Sequence, residues 1–411
     1  MNDDWKHSYL GNHMQLLTGF PFSSEKYTDS LVSVRLLRGD NIRQGYIDWT
    51  DAKKWPVSEL DSLRAYLLQE GDVVLAMDRT WVNAGLKLAT VTRGDCPCLL
   101  VQRVARIRGR DGVTSQFLRH TLESHNFTEY VKSVQTATAV PHISAKQICD
   151  FPILIPPSDQ QVVISGLLDL WDRGIRQLSD LVAAKIRFKQ GLMQQLLTGR
   201  RRFPEFRVTA FNEHHVGDVL KETFRPVEWD EEELYRLASI RRKSGGLFWR
   251  EALLGKQIKV KKLHSLCQGD FLISHIQAAY GAMGLVPTEF AGGKVSNMYT
   301  ILTPNDESRI DMRYIDYLSQ MERMRHQAYL ACNGFFAERL RLNFDPAEFL
   351  KQTILLPESF DEQSKIADVL DTLVSEIKTL QRELDALKTQ KKGLMQKLLT
   401  GQVRVKLPDP V

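Results

Sequence analysis

Apolar residues recur at alternating steps of four and three along two long segments of the chain, a pattern typical of helices that pack along one seam. In the second segment they are Ile366, Leu370, Leu373, Ile377, Leu380, Leu384 and Leu387, and after Lys391 they resume with Leu394 and Leu398. In the first segment they are Ile164, Leu168, Trp171, Ile175, Leu178 and Val182, followed by Leu192 and Leu196. Lys185 and Lys189 interrupt this first series, so looser packing is expected there.

Both segments also have signals for the two ends of a helix. Residues 158–161 and 359–362 match the S-x-x-E/Q capping box. Gly199 and Gly401 stand where a helix closes with a left-handed residue. A helix of about 40 residues is about 60 Å long. Each seam needs a partner, which is either the other helix or the helix's own half of the chain. Pairing with the other helix is favoured because the two seams match.

The two helical segments are copies of each other. Residues 191–199, GLMQQLLTG, differ at one position from residues 393–401, GLMQKLLTG, at an offset of 202. Upstream, ILIP at 153–156 corresponds to ILLP at 354–357 after a one-residue slip. The chain is therefore two halves that end alike. The copied residues Gly191, Leu192 and Met193, with Gly393, Leu394 and Met395, are interpreted as helix packing or partner docking.

The segments between the helices, 1–152 and 204–353, have short apolar runs broken by Gly, Asp, Asn and Pro, which predicts β structure. Gly-Asp turns at 71–72 and 269–270 each precede an apolar strand. The predicted class is α+β: two β-rich domains alternate with two helices that pair as an antiparallel coiled coil, with a pseudo-two-fold relation. The predicted domains are 1–155, the first helix 156–203, 204–356, and the second helix with a tail, 357–411.

Composition adds few constraints. The chain has 411 residues, 43% of them hydrophobic and 26% charged, as in globular proteins. The net charge of +5 permits a nucleic-acid partner without requiring one. Five cysteines argue against a disulfide framework. Neither a signal peptide nor a run of about 18 apolar residues is present, so no membrane association and a cytoplasmic location are expected.

The chain lacks the short motifs of the enzyme classes considered. The phosphate loop G-x-x-x-x-G-K-[ST], the zinc motif H-E-x-x-H, the nucleophile elbow G-x-S-x-G and the Asn/Asp-Pro-Pro-aromatic motif of amino-methyltransferases do not occur. Cys96-Pro97-Cys98 lacks the spacing and the second ligand pair of a zinc site. We therefore expect no catalytic residue, no metal site and no cofactor.

The candidate binding residues lie in loops that differ between the halves, as expected of one scaffold presenting two surfaces. Arg, Lys, Asn and Gln in such loops contact phosphates or base edges. Arg106, Arg108 and Arg110 would project from one face of a strand, either towards phosphates or as a charged edge strand. The candidates are Arg38, Asn41, Arg43, Arg79, Thr80, Trp81, Asn83, Arg106, Arg108, Arg241, Arg242, Lys243, His275, Gln277 and Tyr280.

These features together resemble the specificity subunits of type I restriction-modification systems, over the whole chain. The resemblance rests on two variable segments that alternate with two repeated helices, each of which closes in LLTG. It also rests on PHIS at 141–144 before FPILIPP at 151–157, and on GAMGLVP at 281–287. One departure is that the expected exit of the second domain, CNGFF at 332–336, lacks the PHIS form.

The resemblance implies a non-catalytic subunit that recognises a two-part, asymmetric site in double-stranded DNA. Two methyltransferase subunits would bind it and methylate adenine, and restriction and translocase subunits would join them for cleavage. Each β-rich domain would enter a major groove. A different hypothesis from the residues alone is a coiled-coil scaffold with two protein-binding domains and no role on DNA.

Overall fold

The structure is a computed structural model that describes residues 4–82, 85–135, 141–333 and 343–406. Its contacts divide the chain into two units, Met1–Asp180 with Arg382–Val411, and Leu181–Gln381. Each unit therefore combines one β-rich segment with part of each long helix. The division into four consecutive domains stays a prediction.

The first unit contains eleven short strands among its described residues. They are β1 (Lys6–Tyr9), β2 (Met14–Thr18), β3 (Ser33–Leu37), β4 (Lys54–Pro56), β5 (Val73–Ala76), β6 (Trp81–Val82), β7 (Gly85–Leu86), β8 (Leu88–Thr90), β9 (Cys98–Leu100), β10 (Val104–Gly109) and β11 (Pro152–Ile155). Its main sheet has the order β2-β10-β5-β8, and smaller sheets are β4-β3-β9, β1-β11 and β6-β7. Its shorter helices are α1 (Ser115–Glu123), α2 (His125–Val134) and α3 (Ala145–Cys149), and the long helix is α4 (Ser158–Leu196).

The second unit repeats this plan. It begins with β12 (Phe211–His215), α5 (Val216–Val219), β13 (Leu220–Glu222), β14 (Leu234–Ile240), β15 (Leu247–Leu254), β16 (Leu263–Ser265), β17 (Phe271–Ser274), β18 (Met283–Leu285), β19 (Lys294–Ser296) and β20 (Tyr299–Pro304). It continues with α6 (Met312–Ser319), α7 (Glu322–Leu330), β21 (Cys332–Asn333), β22 (Asn343–Phe344), α8 (Pro346–Leu350), β23 (Thr353–Pro357) and α9 (Phe360–Leu399). Its sheets are β13-β20-β17-β18, β15-β14-β19-β16, β12-β23 and β21-β22.

The Gly-Asp turns begin the same strand in both main sheets, as the sequence predicts. Gly71 and Gly269 have φ of 87° and 85°, which glycine adopts without strain. The carboxylates that follow close the turns: Asp72 accepts from the Gln69 amide at 2.8 Å, and Asp270 from the Cys267 amide at 2.7 Å. Their strands β5 and β17 are buried along their whole length.

The β-rich segments contain short helices that the sequence analysis did not predict. In α1, Phe117, Leu118 and Leu122 lie on the buried face, and the helix starts where Thr114 accepts from the Phe117 amide. In the second unit, the Asp311 side chain caps the start of α6. These helices are about one to three turns long, so their apolar period has too few repeats to stand out from that of a strand.

Within each unit the two long helices pack against each other with opposite directions, which confirms the predicted antiparallel pairing. In the first unit, Ile164 and Leu168 share a core with Met395 and Leu398, and Asp172 accepts from Lys391 at 2.5 Å. In the second, Met193 and Leu196 share a core with Ile366 and Leu370, and Lys185 pairs with Glu376 at 2.7 Å. Met193 and Met395 are buried and belong to the helix packing, whereas Gly191 and Gly393 are exposed, so partner docking stays a prediction for the rest of the copied GLM residues. Gly199 and Gly401 close the helices at φ of 69° and 70°, as predicted.

The predicted capping boxes form only in part. Ser359 does accept from the Glu362 amide at 3.3 Å, but the Glu362 carboxylate bonds Arg202 (Nε to Oε1, 2.9 Å). Ser158 is already the first residue of α4, and the Gln161 side chain bonds the β-rich segment. Tertiary partners at both sites therefore displace the local interaction that the sequence motif describes.

Two repeat-equivalent glutamines attach the β-rich segments to the helices. The Gln161 amide accepts from the Thr114 N–H at 3.1 Å and donates to the carbonyls of Gly112 and Pro156 at 3.1 and 3.0 Å. In the second unit, Gln363 accepts from the Asp311 N–H and donates to the carbonyls of Arg309 and Pro357, all at 3.0 Å. The same three-way connection therefore fixes α1 and α6 to the start of the neighbouring long helix.

Candidate nucleic-acid interface

In the first unit, the loop that follows the buried strand β5 brings candidate residues to the surface. The Ile143 amide donates to the Met77 carbonyl at 2.9 Å, and the Arg79 amide donates to the Pro141 carbonyl at 3.0 Å. Arg79 is exposed and has φ of 46°, an uncommon conformation for a residue with a side chain. The PHIS segment therefore holds the backbone of this loop and leaves the Arg79 side chain exposed to solvent.

Charged and aromatic groups surround this loop. Asp78 lies between His142 (Nδ1 to Oδ1, 2.5 Å) and Arg103 (Nη1 to Oδ1, 3.4 Å). Trp81 donates from its indole to Gln135 at 2.9 Å, and Lys132 lies 5.6 Å from its ring centre. Trp81 therefore contacts both α2 and Gln135, the residue that follows α2. The candidate Asn83 lies outside the described residues.

The second unit has an equivalent loop after β17. The Phe344 amide donates to the His275 carbonyl at 3.1 Å, matching the bond between Ile143 and Met77. The exit of the second domain is therefore Asn343-Phe344-Asp345, and the prediction that placed it at 332–336 is wrong. Asp345 caps α8 as Ser144 caps α3. The one-residue slip between ILIP and ILLP contained this signal, because an offset of 201 pairs residues 142–144 with 343–345.

The nominated side chains of this second loop differ in their hydrogen bonding and in their exposure to solvent. His275 bonds Thr300 (Nε2 to Oγ1, 2.8 Å), and burial lowers the pKa of His275, so its imidazole is neutral and engaged at neutral pH. Tyr280 is exposed, and Gln277, half-buried like His275, has no side-chain hydrogen bond among the described residues. Contact of Gln277 and Tyr280 with DNA stays a prediction.

The turn between β14 and β15 docks onto this loop and brings together candidates that are distant in the sequence. The amides of Lys243 and Ser244 donate to the carbonyls of Tyr280 and Gly281, both at 2.8 Å. The Arg242 guanidinium lies 4.7 Å from the centre of the Tyr280 ring. Arg241 instead bonds the Leu247 carbonyl at 3.2 Å, back on its own hairpin.

Arg106 and Arg108 do not form the predicted row on a free face. Strand β10 lies in the middle of its sheet, so neither the phosphate row nor the charged edge strand applies. Arg106 is 6% exposed and donates to the Ala65 carbonyl at 3.3 Å. Arg108 pairs with Asp72 (Nη2 to Oδ2, 2.8 Å), as Arg225 pairs with Asp270 in the second unit. Arg108 and Arg225 therefore stabilise the Gly-Asp turns.

Other candidates of the first unit are also engaged internally. Arg38 pairs with Asp40 at 3.1 Å, and Arg43 with Asp48 at 3.2 Å. Asn41 is buried, accepting from the Arg38 amide and donating to the Asp48 carbonyl. Thr80 is fully buried. Asn41 and Thr80 are therefore structural, which corrects their nomination as DNA contacts.

A polar cluster joins α1 to both long helices in the first unit. Arg119 donates to Asp169 and Asp172 at 2.5 and 3.0 Å, and Lys391 donates to Asp172. Burial alone would raise the pKa of Glu123, but the hydrogen bond from His120 and the charges of Arg119 and Lys391 lower it to about 2.

Three residues of this cluster are the only metal-ligand set found among the described residues. Ligand atoms of His120, Asp169 and Asp172 lie within 4.8 Å of one another. Arg119 and Lys391 already provide positive charge to the two aspartates. The arrangement therefore works as an ion-pair network that attaches α1 to the helices.

The second unit has a related cluster with different chemistry. The Tyr317 hydroxyl donates to Asp371, the repeat equivalent of Asp169, at 2.6 Å. Lys189, the equivalent of Lys391, donates to Gln320 at 3.2 Å, and burial lowers the pKa of Lys189. Burial raises the pKa of Asp316, which accepts from the Leu285 amide at 2.8 Å. Lys189, which interrupts the apolar series of α4, is thus a polar contact between the helix and the β-rich segment.

Each unit contains a sheet with a buried central strand, β5 or β17, and a loop follows the end of that strand. The side chains on the two loops differ.

No protein-family model matches the sequence. The chain is 37% identical over 171 residues to the EcoAI type I restriction enzyme specificity subunit of Escherichia coli, covering 41% of this chain and 28% of that protein. It is 26% identical over 201 residues to the MjaVIII specificity subunit of Methanocaldococcus jannaschii, covering 49% and 47%. These matches thus span less than half the length of either relative.

Solved structures share the fold over nearly the whole chain. The S subunit of a type I restriction-modification system from M. genitalium aligns with a TM-score of 0.57 at 12% identity, covering 100% of this chain and 98% of that one. A chain from a study of complex assembly and conformational transition of the type I system aligns with a TM-score of 0.59 at 16% identity, covering 98% and 99%. In sequence and in fold, this chain therefore resembles type I specificity subunits, which confirms the resemblance drawn from the repeat.

Among the described residues, no helix combines the length and the apolar character needed to cross a bilayer.

Proposed function

We propose that this chain is a DNA sequence-recognition subunit of a type I restriction-modification system, without catalysis of its own. The observation that supports this most directly is the pair of loops after β5 and β17, which occupy the same place in the same kind of sheet but expose different side chains. Arg79 in one loop suits guanine, and Gln277 in the other suits adenine. The recognised site would therefore have two unlike halves.

The same proposal assigns the chemistry to partners. Relatives of this chain are named as specificity subunits, and one structural neighbour comes from a study of complex assembly. Two methyltransferase subunits would methylate an adenine in each half-site, after flipping the base out of the duplex. Restriction and translocase subunits would join the complex for cleavage.

Mapping methylated adenine in cells with and without this gene tests the whole proposal. We expect one bipartite sequence, with a constant gap between its halves, to be methylated only when the gene is present. An unchanged methylation map would contradict the proposal, and the expected map would reveal both halves of the site.

Binding to duplex DNA separates this function from a protein-binding scaffold. The chain bound to its methyltransferase subunits should lose affinity for DNA steeply as salt rises, because cations on the protein replace counterions on the phosphates. A flat salt response would favour the scaffold. Methyl transfer by the isolated chain would instead indicate an enzyme.

A further inference from the structure

Two adjacent cations on the turn at 241–246 differ from Arg38 and Arg43, two of the nominated cations of the first unit. Arg242 and Lys243 are both exposed, and the contacts of the described residues give neither side chain an acidic partner. Arg38 and Arg43, by contrast, each pair with an aspartate, at 3.1 and 3.2 Å. The turn therefore presents two positive charges that no ion pair among the described residues neutralises.

The backbone of this turn is held in an unfavourable conformation. Lys243 and Ser244 have φ of 56° and 51°, and left-handed backbone is strained in residues other than glycine. The two hydrogen bonds to the carbonyls of Tyr280 and Gly281 maintain it. Gly281 itself has φ of 72°, in the left-handed region that favours glycine, and an added Cβ there would lie 3.0 Å from the Arg325 side chain.

The Tyr280 ring fixes the direction of Arg242. A guanidinium over an aromatic ring is attracted by the negative face of the ring. This contact restricts the guanidinium, which therefore loses less freedom when its N–H groups donate to a ligand. The ring face that meets Arg242 is not available to stack on a base.

We propose that Arg242 and Lys243 bind phosphates of the DNA backbone, and that Tyr280 is a positioning residue for Arg242 rather than a base reader. Side chains that only donate, placed side by side on an outer turn, match the anionic oxygens that all DNA sequences share. Base reading in this unit then belongs to Gln277. The inference rests on the proposed function and assigns roles within it.

The test measures DNA affinity of the chain in complex with its methyltransferase subunits, across salt, on a duplex with the mapped site and on an unrelated duplex. Arg242→Ala and Lys243→Ala should each reduce the slope of log affinity against log salt by about 1. Each should also weaken binding to both duplexes by the same factor. Arg242→Lys should keep most of the slope. Arg64→Ala, at an exposed arginine paired with Asp61, is the matched control and should leave the slope unchanged.

Tyrosine variants separate positioning from reading. Tyr280→Phe should bind DNA as the wild type does. Tyr280→Ala should weaken binding to both duplexes by one common factor, which should be smaller than the factor for Arg242→Ala. The inference is overturned if Arg242→Ala leaves the slope unchanged, or if either Arg242→Ala or Tyr280→Ala weakens only the mapped site and relaxes its base preference. Salt-dependent binding by the wild-type complex, with these variants silent, would retain the proposed function and reject this inference alone.

Discussion

Some arginines of this protein are engaged within the fold and others are exposed on loops. The sequence pattern of strands and loops does not distinguish the two kinds. Arg108 and Arg225 pair with the aspartates of the Gly-Asp turns, and Arg106 is buried against the backbone of Ala65. Arg79 and Arg242 extend from loops. Alternation along β10 gives the face on which each side chain lies, but whether that face meets solvent depends on strands and loops that are distant in sequence.

The carboxylate of Glu123, whose side chain is 14% exposed, should stabilise the fold in a pH-dependent way. Its pKa of about 2, against an ordinary 4.5, means that the ionised form is favoured in the folded state. Glu123→Gln should therefore lower the free energy of unfolding by about 3 kcal/mol at neutral pH. That cost should shrink as pH falls from about 4.5 to 2, because the carboxylate becomes protonated in both states. Denaturant unfolding at several pH values measures it.

Glu129→Gln is the matched control, because Glu129 is an exposed glutamate that pairs with Lys132 on α2. Its effect on the free energy of unfolding should be small at neutral pH, because solvent screens an exposed ion pair. If Glu123→Gln and Glu129→Gln lowered the free energy of unfolding equally at neutral pH, the result would contradict a special role for the cluster around Glu123.

At the scale of elements, the repeat-equivalent lysines of the long helices should respond differently to loss of charge. Lys391 contacts two carboxylates, Asp172 and Glu123, which would then share Arg119 alone, so Lys391→Met should destabilise by about 1–3 kcal/mol. Lys189 bonds the neutral Gln320, and burial lowers its pKa, so Lys189→Met should cost less. Comparing the two unfolding free energies tests this order, and a larger loss at Lys189 would refute it.

The glutamines at the helix starts give a second prediction at this scale. Gln363→Leu should lower the free energy of unfolding by about 2–4 kcal/mol, because it leaves the Asp311 N–H and two carbonyls without their partner. Gln161→Leu should behave alike in the first unit. Gln194→Leu, at an exposed position of α4, is the control and should change stability little. Thermal unfolding of the three variants is the measurement.

At the scale of the whole molecule, separate cores suggest that the two loops act independently. Each buried cluster of the described chain is made of residues from one unit alone. Gln277→Ala should then relax base preference in one half of the recognised site and leave the other half unchanged. Arg79→Ala should do the reverse. Methylation mapping in cells that carry each variant checks this, and a change in both halves from one variant would contradict independence.

The duplicated plan of the chain can be predicted from the sequence. The two matching heptad seams are periodic patterns along each helical segment, and the closing glycines and the Gly-Asp turns rest on interactions between residues near each other in the chain. The structure confirms these helices and turns. The one-residue slip in the repeat also contained the true exit of the second domain, at 343–345, although the less similar residues there obscured it.

Which nominated side chains are available to a ligand depends on how the elements pack in the fold. Asn41, Thr80, Arg106 and Arg108 are engaged or buried within the packed first unit, and the turn at 241–246 meets the loop at Tyr280 only in the fold. The physical reason is that short-range patterns specify helices, turns and strand faces. Burial, charge pairing and the meeting of two loops depend on how those elements pack.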